Sequence, residues 1–256
     1  MQVALTLLGM RHARDVVNEA CANTVAANGS FFKHVEPWSA LPDYVDVAFR
    51  SARAADPARK SQLFYNEFGA EQMGVAKSET VYEMVKSMVQ RKVPIDGVGL
   101  QMHVSMGEAA PDEAKVSANI ARLGKLGLKV HITEMDVKCP DPCNAAGEQA
   151  QAEVYASMLR ACLANPGVCT SFESWGFTDA VTWLTGVRCI RPTGKTKCHR
   201  ETFFPLGPRL RSLGLTACRL AALPFDEQYR PKPAAAAMLR VLQQHAEKTA
   251  APEPAH

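Results

Sequence analysis

The run VHITEMD at residues 130–136 ends an apolar stretch in two acids, Glu134 and Asp136. Residues two apart on a strand project from the same face, so these carboxylates sit side by side. A second run, RDVVNEA at 14–20, passes from Val16 and Val17 into Asn18 and Glu19. Two carboxyl groups on separate strands suit glycoside hydrolysis with retention of configuration. One attacks as a carboxylate while the other gives and then takes a proton, about 5–5.5 Å away across the sugar. Glu19 and Glu134 fit that pair. GVGLQMHV at 97–104 offers Gln101 and His103 on one strand face. His103 can then bond Glu134, and Asp136 can fix its tautomer through the other ring nitrogen. Asn18 can bond a sugar hydroxyl beside the reacting carbon, and Trp175 and Trp183 offer flat faces on which pyranose rings stack. Each residue also has a plainer reading. Glu67, Glu71 and Glu173 suit salt bridges or solvent, His103 a satisfied core histidine, and Trp183 a cover for a rim. The pairing of Glu19 and Glu134 with His103 and Asp136 favours the chemical reading.

Such residues need elements that bring strand ends together. Apolar runs alternate with helical periods along the chain. Helices are expected over 42–57, 78–92, 111–127, 148–163 and 233–245, with strands at 13–21, 62–69, 97–104, 128–137 and 168–177. Over 78–92, Val81, Met84, Val85, Met88 and Val89 form one apolar stripe, and Ser78 suits the N-cap. Pro111 and Gly127 bracket the third helix. Alternation of this kind means parallel strands in an α/β fold. A doubly wound nucleotide-binding sheet lacks its G-x-G-x-x-G here. A (β/α)8 TIM barrel collects chemistry at the C-terminal ends of many strands. Five successive strand ends are polar: Asn18-Glu19, Asn66-Glu67, Gln101 with His103, Glu134 with Asp136, and Glu173 with Trp175.

The 256 residues suffice for one large domain, and a net charge of +3 gives no argument for nucleic acid or a membrane surface. The opening MQVALTLLGM has no basic residue before its apolar part and makes a poor signal peptide. Eight cysteines, several closely spaced in the second half, suggest disulfides and an oxidising compartment. Cys162 and Cys169 bracket the turn LANPGV and are expected to be bridged. A zinc alternative at Cys189, Cys198, His199 and Cys218 matches no common ligand spacing. Residues 185–223, rich in Pro, Gly and Arg with three cysteines, read as a long cross-linked loop, and 246–256 as a disordered tail.

In order, DVVNEA, LFYNEFGAE, GVGLQMHV, HITEMDV, SWGFTDAVTWL and LPFDEQYRPKPA resemble glycoside hydrolase family 10, the endo-1,4-β-xylanases on a (β/α)8 barrel. The matches cover most of 14–184 and 223–234. The resemblance implies a partial catalytic domain over 1–245. It makes Glu19 the acid/base and Glu134 the nucleophile, and puts Asn18, Gln101, His103, Trp175 and Trp183 around the sugar at the cleavage point. Tyr65 and Asn66 match a substrate-binding motif near the glycone side, and Asp136 supports His103. The implied partner is xylan or a related β-1,4-linked polysaccharide, without cofactor or metal, and the family together with the cysteines implies secretion. Another retaining β-glycanase, or a fragment that only binds polysaccharide through Trp175 and Trp183, are the alternatives.

The resemblance starts at the barrel's fourth strand, so three βα units are absent from the match. Arg14 stands where the family usually has Trp, and 185–223 exceeds the usual connection. Five parallel strands cannot close an eight-stranded barrel. The expectation is an incomplete barrel, strands 4–8, with two unpaired edges, prone to aggregate and weak in turnover.

Overall fold

The computed structural model describes residues 3–6, 12–25, 31, 38–41, 43–139, 143–190, 197–199, 216–219 and 221–250. The strands are β1 (Val3–Thr6), β2 (His12–Asn18), β3 (Ser61–Glu67), β4 (Gly97–Leu100), β5 (His103–Ser105), β6 (Lys129–Lys138), β7 (Cys169–Ser174), β8 (Thr185–Ile190), β9 (Lys197–His199) and β10 (Thr216–Arg219). The helices are α1 (Tyr44–Ala55), α2 (Ala76–Gln90), α3 (Glu113–Lys125), α4 (Ala145–Leu163) and α5 (Pro233–Ala250). Strands β2, β3, β4, β6 and β7 run parallel, with α1 to α4 in the connections, as alternating apolar runs and helical periods require. Their sheet order is β1-β7-β6-β4-β3-β2, and β5 pairs with β6 off that path. The described strands form an open arc of a (β/α)8 barrel.

The core lies between this arc and its helices. α2 contributes Val81, Met84, Val85 and Met88, the stripe its sequence spells out, and Val116, Ile120 and Leu123 do the same for α3. Asp112 caps α3 by accepting from the Lys115 N–H, and Asn144 caps α4 by accepting from the Gly147 N–H. Two disulfides brace the second half. Cys162–Cys169 spans the α4–β7 turn, with Cα atoms 5.2 Å apart. Cys139–Cys143, at the end of β6, was not singled out by spacing.

Several expectations need correction. One arc edge is not bare: β1 pairs antiparallel with β7, Val3 opposite Ser174 and Thr6 opposite Ser171. The apolar opening segment thus satisfies backbone groups that β7 would otherwise leave exposed. At the other edge, β2 has β3 as its sole partner among the described strands. The 185–223 region is not one loop. It holds an antiparallel sheet ordered β10-β8-β9, and its last residues, Ala222 and Leu223, are buried, the Ala222 carbonyl accepting from the Val137 N–H of β6 and Leu223 packing with Leu184. Cys189, Cys198 and Cys218 sit on these strands, but their side chains, and with them the zinc alternative, lie outside what is described. The last helix continues to Ala250, so the expected tail start at 246 falls within α5; residues 251–256 are outside the described set.

Ser78 is not an N-cap. Helix α2 starts at Ala76, and Ser78 is buried within it against Asn119 and Arg122. Glu79 reaches back to accept from the Gly74 N–H, tying the chain ahead of the helix. The expected strand 97–104 is broken. β4 stops at Leu100 and β5 starts at His103, because Met102 takes a left-handed backbone (φ 65°). The buried Glu71 carboxyl accepts from the Met102 and Gly69 N–H groups, so it serves the backbone rather than chemistry.

Candidate active site

The C-terminal ends of β2, β3, β4 and β6 converge on one hydrogen-bonded chain. Gln101 Nε2 donates to Glu19 Oε1 and to Asn18 Oδ1, each at 3.0 Å. Asn66 Nδ2 also donates to Asn18 Oδ1 (3.0 Å) and to Glu134 Oε1 (2.7 Å). The amide orientation of Asn66 follows from Thr133, whose hydroxyl donates to Asn66 Oδ1 at 2.7 Å. Glu19 and Glu134 are thus joined through three amide side chains. Gly99 makes room for this: a Cβ there would stand 2.2 Å from Asn66 Oδ1.

The second half of the site is built on β5 and β6. His103 lies between the two acids of the opening run, its Nε2 3.1 Å from Glu134 Oε2 and its Nδ1 2.8 Å from Asp136 Oδ2. Asp136 is fully buried, and Trp183 Nε1 donates to the same Oδ2 at 2.6 Å. Burial by itself pulls the His103 pKa down. The hydrogen bonds and charges of Asp136 and Glu134 together outweigh it and hold the ring up at about 9. At neutral pH the ring is an imidazolium that donates from both nitrogens. Asp136 thus meets the ring at Nδ1, the nitrogen opposite the one that faces Glu134.

Two indoles flank the imidazole. Trp183 lies 5.1 Å from it and Trp175 6.4 Å, both edge-on, and Trp175 is 44% exposed. Lys138 Nζ stands 5.4 Å from the Trp183 ring centre. Glu19 lies just beyond β2 in the left-handed region (φ 56°), a conformation costing a non-glycine residue on the order of 1–3 kcal/mol. Its N–H donates to the Asn66 carbonyl (2.9 Å), fixing the turn to β3.

Tyr65 is the expected site residue that the structure places elsewhere. It is fully buried with its ring on the helix side of β3, and its hydroxyl donates to Glu67 Oε2 at 2.6 Å and accepts from the Cys21 N–H at 2.8 Å. Period-two alternation accounts for this: Asn66 faces the cleft, so its neighbours Tyr65 and Glu67 do not. Missed in turn was Asp15, on the inner face of β2. Loss of hydration, then the charges of Glu134 and Glu173, push its carboxyl up to about 6. One side stays open to solvent, so water screens part of that effect. Among the described residues, no group of three or more His, Cys, Asp or Glu is arranged to hold a metal ion.

The model of glycosyl hydrolase family 10 matches residues 2–241. The chain belongs to glycosyl hydrolase family 10. Family 10 relatives include an endo-1,4-beta-xylanase B of Thermotoga neapolitana, 34% identical over 220 residues, 86% of this chain and 53% of that protein. Another, from Neocallimastix patriciarum, is 43% identical over 171 residues, 66% of this chain and 19% of its own length. Among solved family structures, the native xylanase 10B of Thermotoga maritima superposes with a TM-score of 0.72 at 32% identity, covering 93% of this chain and 62% of that one. The Thermotoga petrophila xylanase in complex with xylobiose gives 0.70 at 32% identity, covering 91% and 60%. The chain therefore spans about half the length of the Thermotoga neapolitana relative and about three-fifths of these structures.

Proposed function

We propose that this site hydrolyses β-1,4-xylosidic bonds in xylan by double displacement, with Glu134 as nucleophile and Glu19 as acid/base. The observation that carries the reading is the clamp on Glu134. One carboxylate oxygen accepts from Asn66 and the other faces the His103 imidazolium. A cation and an amide donor hold that carboxylate in one orientation for attack on the anomeric carbon. Glu19, held by Gln101, protonates the departing oxygen and then takes the proton of the water that releases the product. Asn18 is linked to Glu19 through Gln101 and to Glu134 through Asn66, and its amide serves a hydroxyl next to the reacting carbon. Gln101 and Asn66 aim the carboxylates, Asp136 anchors His103, and Trp175 and Trp183 give the sugar its apolar walls. The substrate is xylan or a related β-1,4-linked polysaccharide, and the two disulfides support an oxidising, extracellular setting.

The test is leaving-group dependence. Glu19→Gln and Glu134→Gln should each abolish turnover of xylan. On an aryl xyloside with an activated leaving group, Glu19→Gln should keep its first step, because no proton is needed, whereas Glu134→Gln should not. Wild-type turnover of xylan by either variant overturns the assignment. The open arc favours a second reading, a chain that binds xylan without turning it over. A xylan pull-down that succeeds where hydrolysis of both substrates fails selects that reading.

A further inference from the structure

We infer that the buried Tyr65–Glu67 pair, backed by Lys77, positions Glu19 for proton transfer by clamping the backbone turn that carries it. This rests on the reading of Glu19 as the proton donor. The turn is held at both ends. At its start, the Glu19 N–H donates to the Asn66 carbonyl. Two residues on, the Cys21 N–H is shared between the Tyr65 hydroxyl (2.8 Å) and Glu67 Oε2 (3.0 Å). Between these anchors Glu19 keeps a left-handed backbone that few side chains adopt unaided, so its surroundings must impose it. The direction in which the Glu19 side chain leaves the backbone follows from that turn, and Gln101 then fixes its far end.

The clamp is built as a rigid unit. Glu67 is fully buried and takes only donors: the Tyr65 hydroxyl, the Cys21 and Phe68 N–H groups and the Lys77 ammonium 2.9 Å from Oε1. Lys77 is itself buried and makes a charge contact rather than a directed hydrogen bond, with its ammonium 3.5 Å above the Phe68 ring. Burying an ion pair is seldom a net gain in stability, and its best-attested use is to fix one geometry. Here that geometry is the Cys21 N–H, and through it the acid/base turn.

The test uses the full chain with Tyr65→Phe, which keeps the ring and drops one hydroxyl, and Glu67→Gln. Amide hydrogen exchange should speed at least tenfold at Cys21 and its neighbours in the turn, and stay unchanged at Phe64 and Ile132 within the sheet. This arm needs no turnover. In kinetics, kcat/KM on xylan should fall at least tenfold, while an activated aryl xyloside, which needs no proton, changes less than threefold. Unchanged exchange at Cys21, faster exchange across the whole sheet, or equal loss on both substrates each overturns the inference. Glu19→Gln run alongside separates the two readings. If it too loses both substrates equally, the role of Glu19 fails, and exchange still decides whether the clamp holds the turn.

Discussion

The pKa of His103 makes the stability of this protein depend on alkaline pH in a way that one substitution removes. In the unfolded chain the imidazole loses its proton near 6.5, and in the folded protein near 9. A raised folded pKa contributes stability that is complete below 6.5 and is lost as pH climbs toward 9. Within that window the folded state holds a proton that the unfolded state does not, so unfolding free energy falls by about 1.4 kcal/mol per pH unit. Over the interval this comes to about 3 kcal/mol. The side chain is only 15% exposed, so solvent screening removes little of it. The assay is urea unfolding of the wild type and His103→Gln at half-unit steps from pH 6 to 9.5. The variant should be the less stable at pH 6, with Asp136 left buried beside Trp183 alone, and the gap should narrow steadily as pH rises. Two stability profiles running parallel from pH 6.5 to 9 would refute the reasoning, because His103 would then not hold its proton between the two acids.

Asp15, with its folded pKa raised to about 6, should add to the same trend at lower pH: stability falls as pH climbs from about 4 to 6, and the ionised carboxylate opposes folding at pH 7, so Asp15→Asn should raise Tm at pH 7 and have little effect near pH 4, read by differential scanning calorimetry. Gly99→Ala forces the Asn66 amide aside and so breaks its bonds to Thr133, Asn18 and Glu134; a stability loss of about 1–3 kcal/mol with loss of xylan turnover is expected, and a variant equal to wild type in both contradicts the packing. Replacing Cys162 and Cys169 together by alanine should cost about 2 kcal/mol in denaturant unfolding, since the closed loop is short.

Much of the site was legible because it obeys local rules. Glu134 and Asp136 flank one imidazole because they stand two apart on a strand, and spacing alone says so. The stripe on α2 gave the side of the sheet on which the core lies. What stayed hidden depends on partners distant in sequence. Nothing near Tyr65 announces that Cys21 and Glu67 will claim its hydroxyl, although strict alternation past Asn66 already argued against a cleft position. The break at Met102 is imposed by Glu71, 31 residues earlier. The pairing of Val3–Thr6 with β7 brings together segments far apart in sequence at one edge of the arc, and the strands within 185–223 have no alternation strong enough to reveal them. Cys139–Cys143 closes too short a loop to resemble a disulfide framework.

Whether Glu134 attacks the sugar is decided by covalent trapping with a 2-fluoro-substituted xyloside bearing an activated leaving group, followed by peptide mass spectrometry. One sugar adduct per chain is expected, on the peptide carrying Glu134, absent from Glu134→Gln and still formed by Glu19→Gln. An adduct on Glu19, or steady hydrolysis of xylan with no adduct at Glu134, would contradict it.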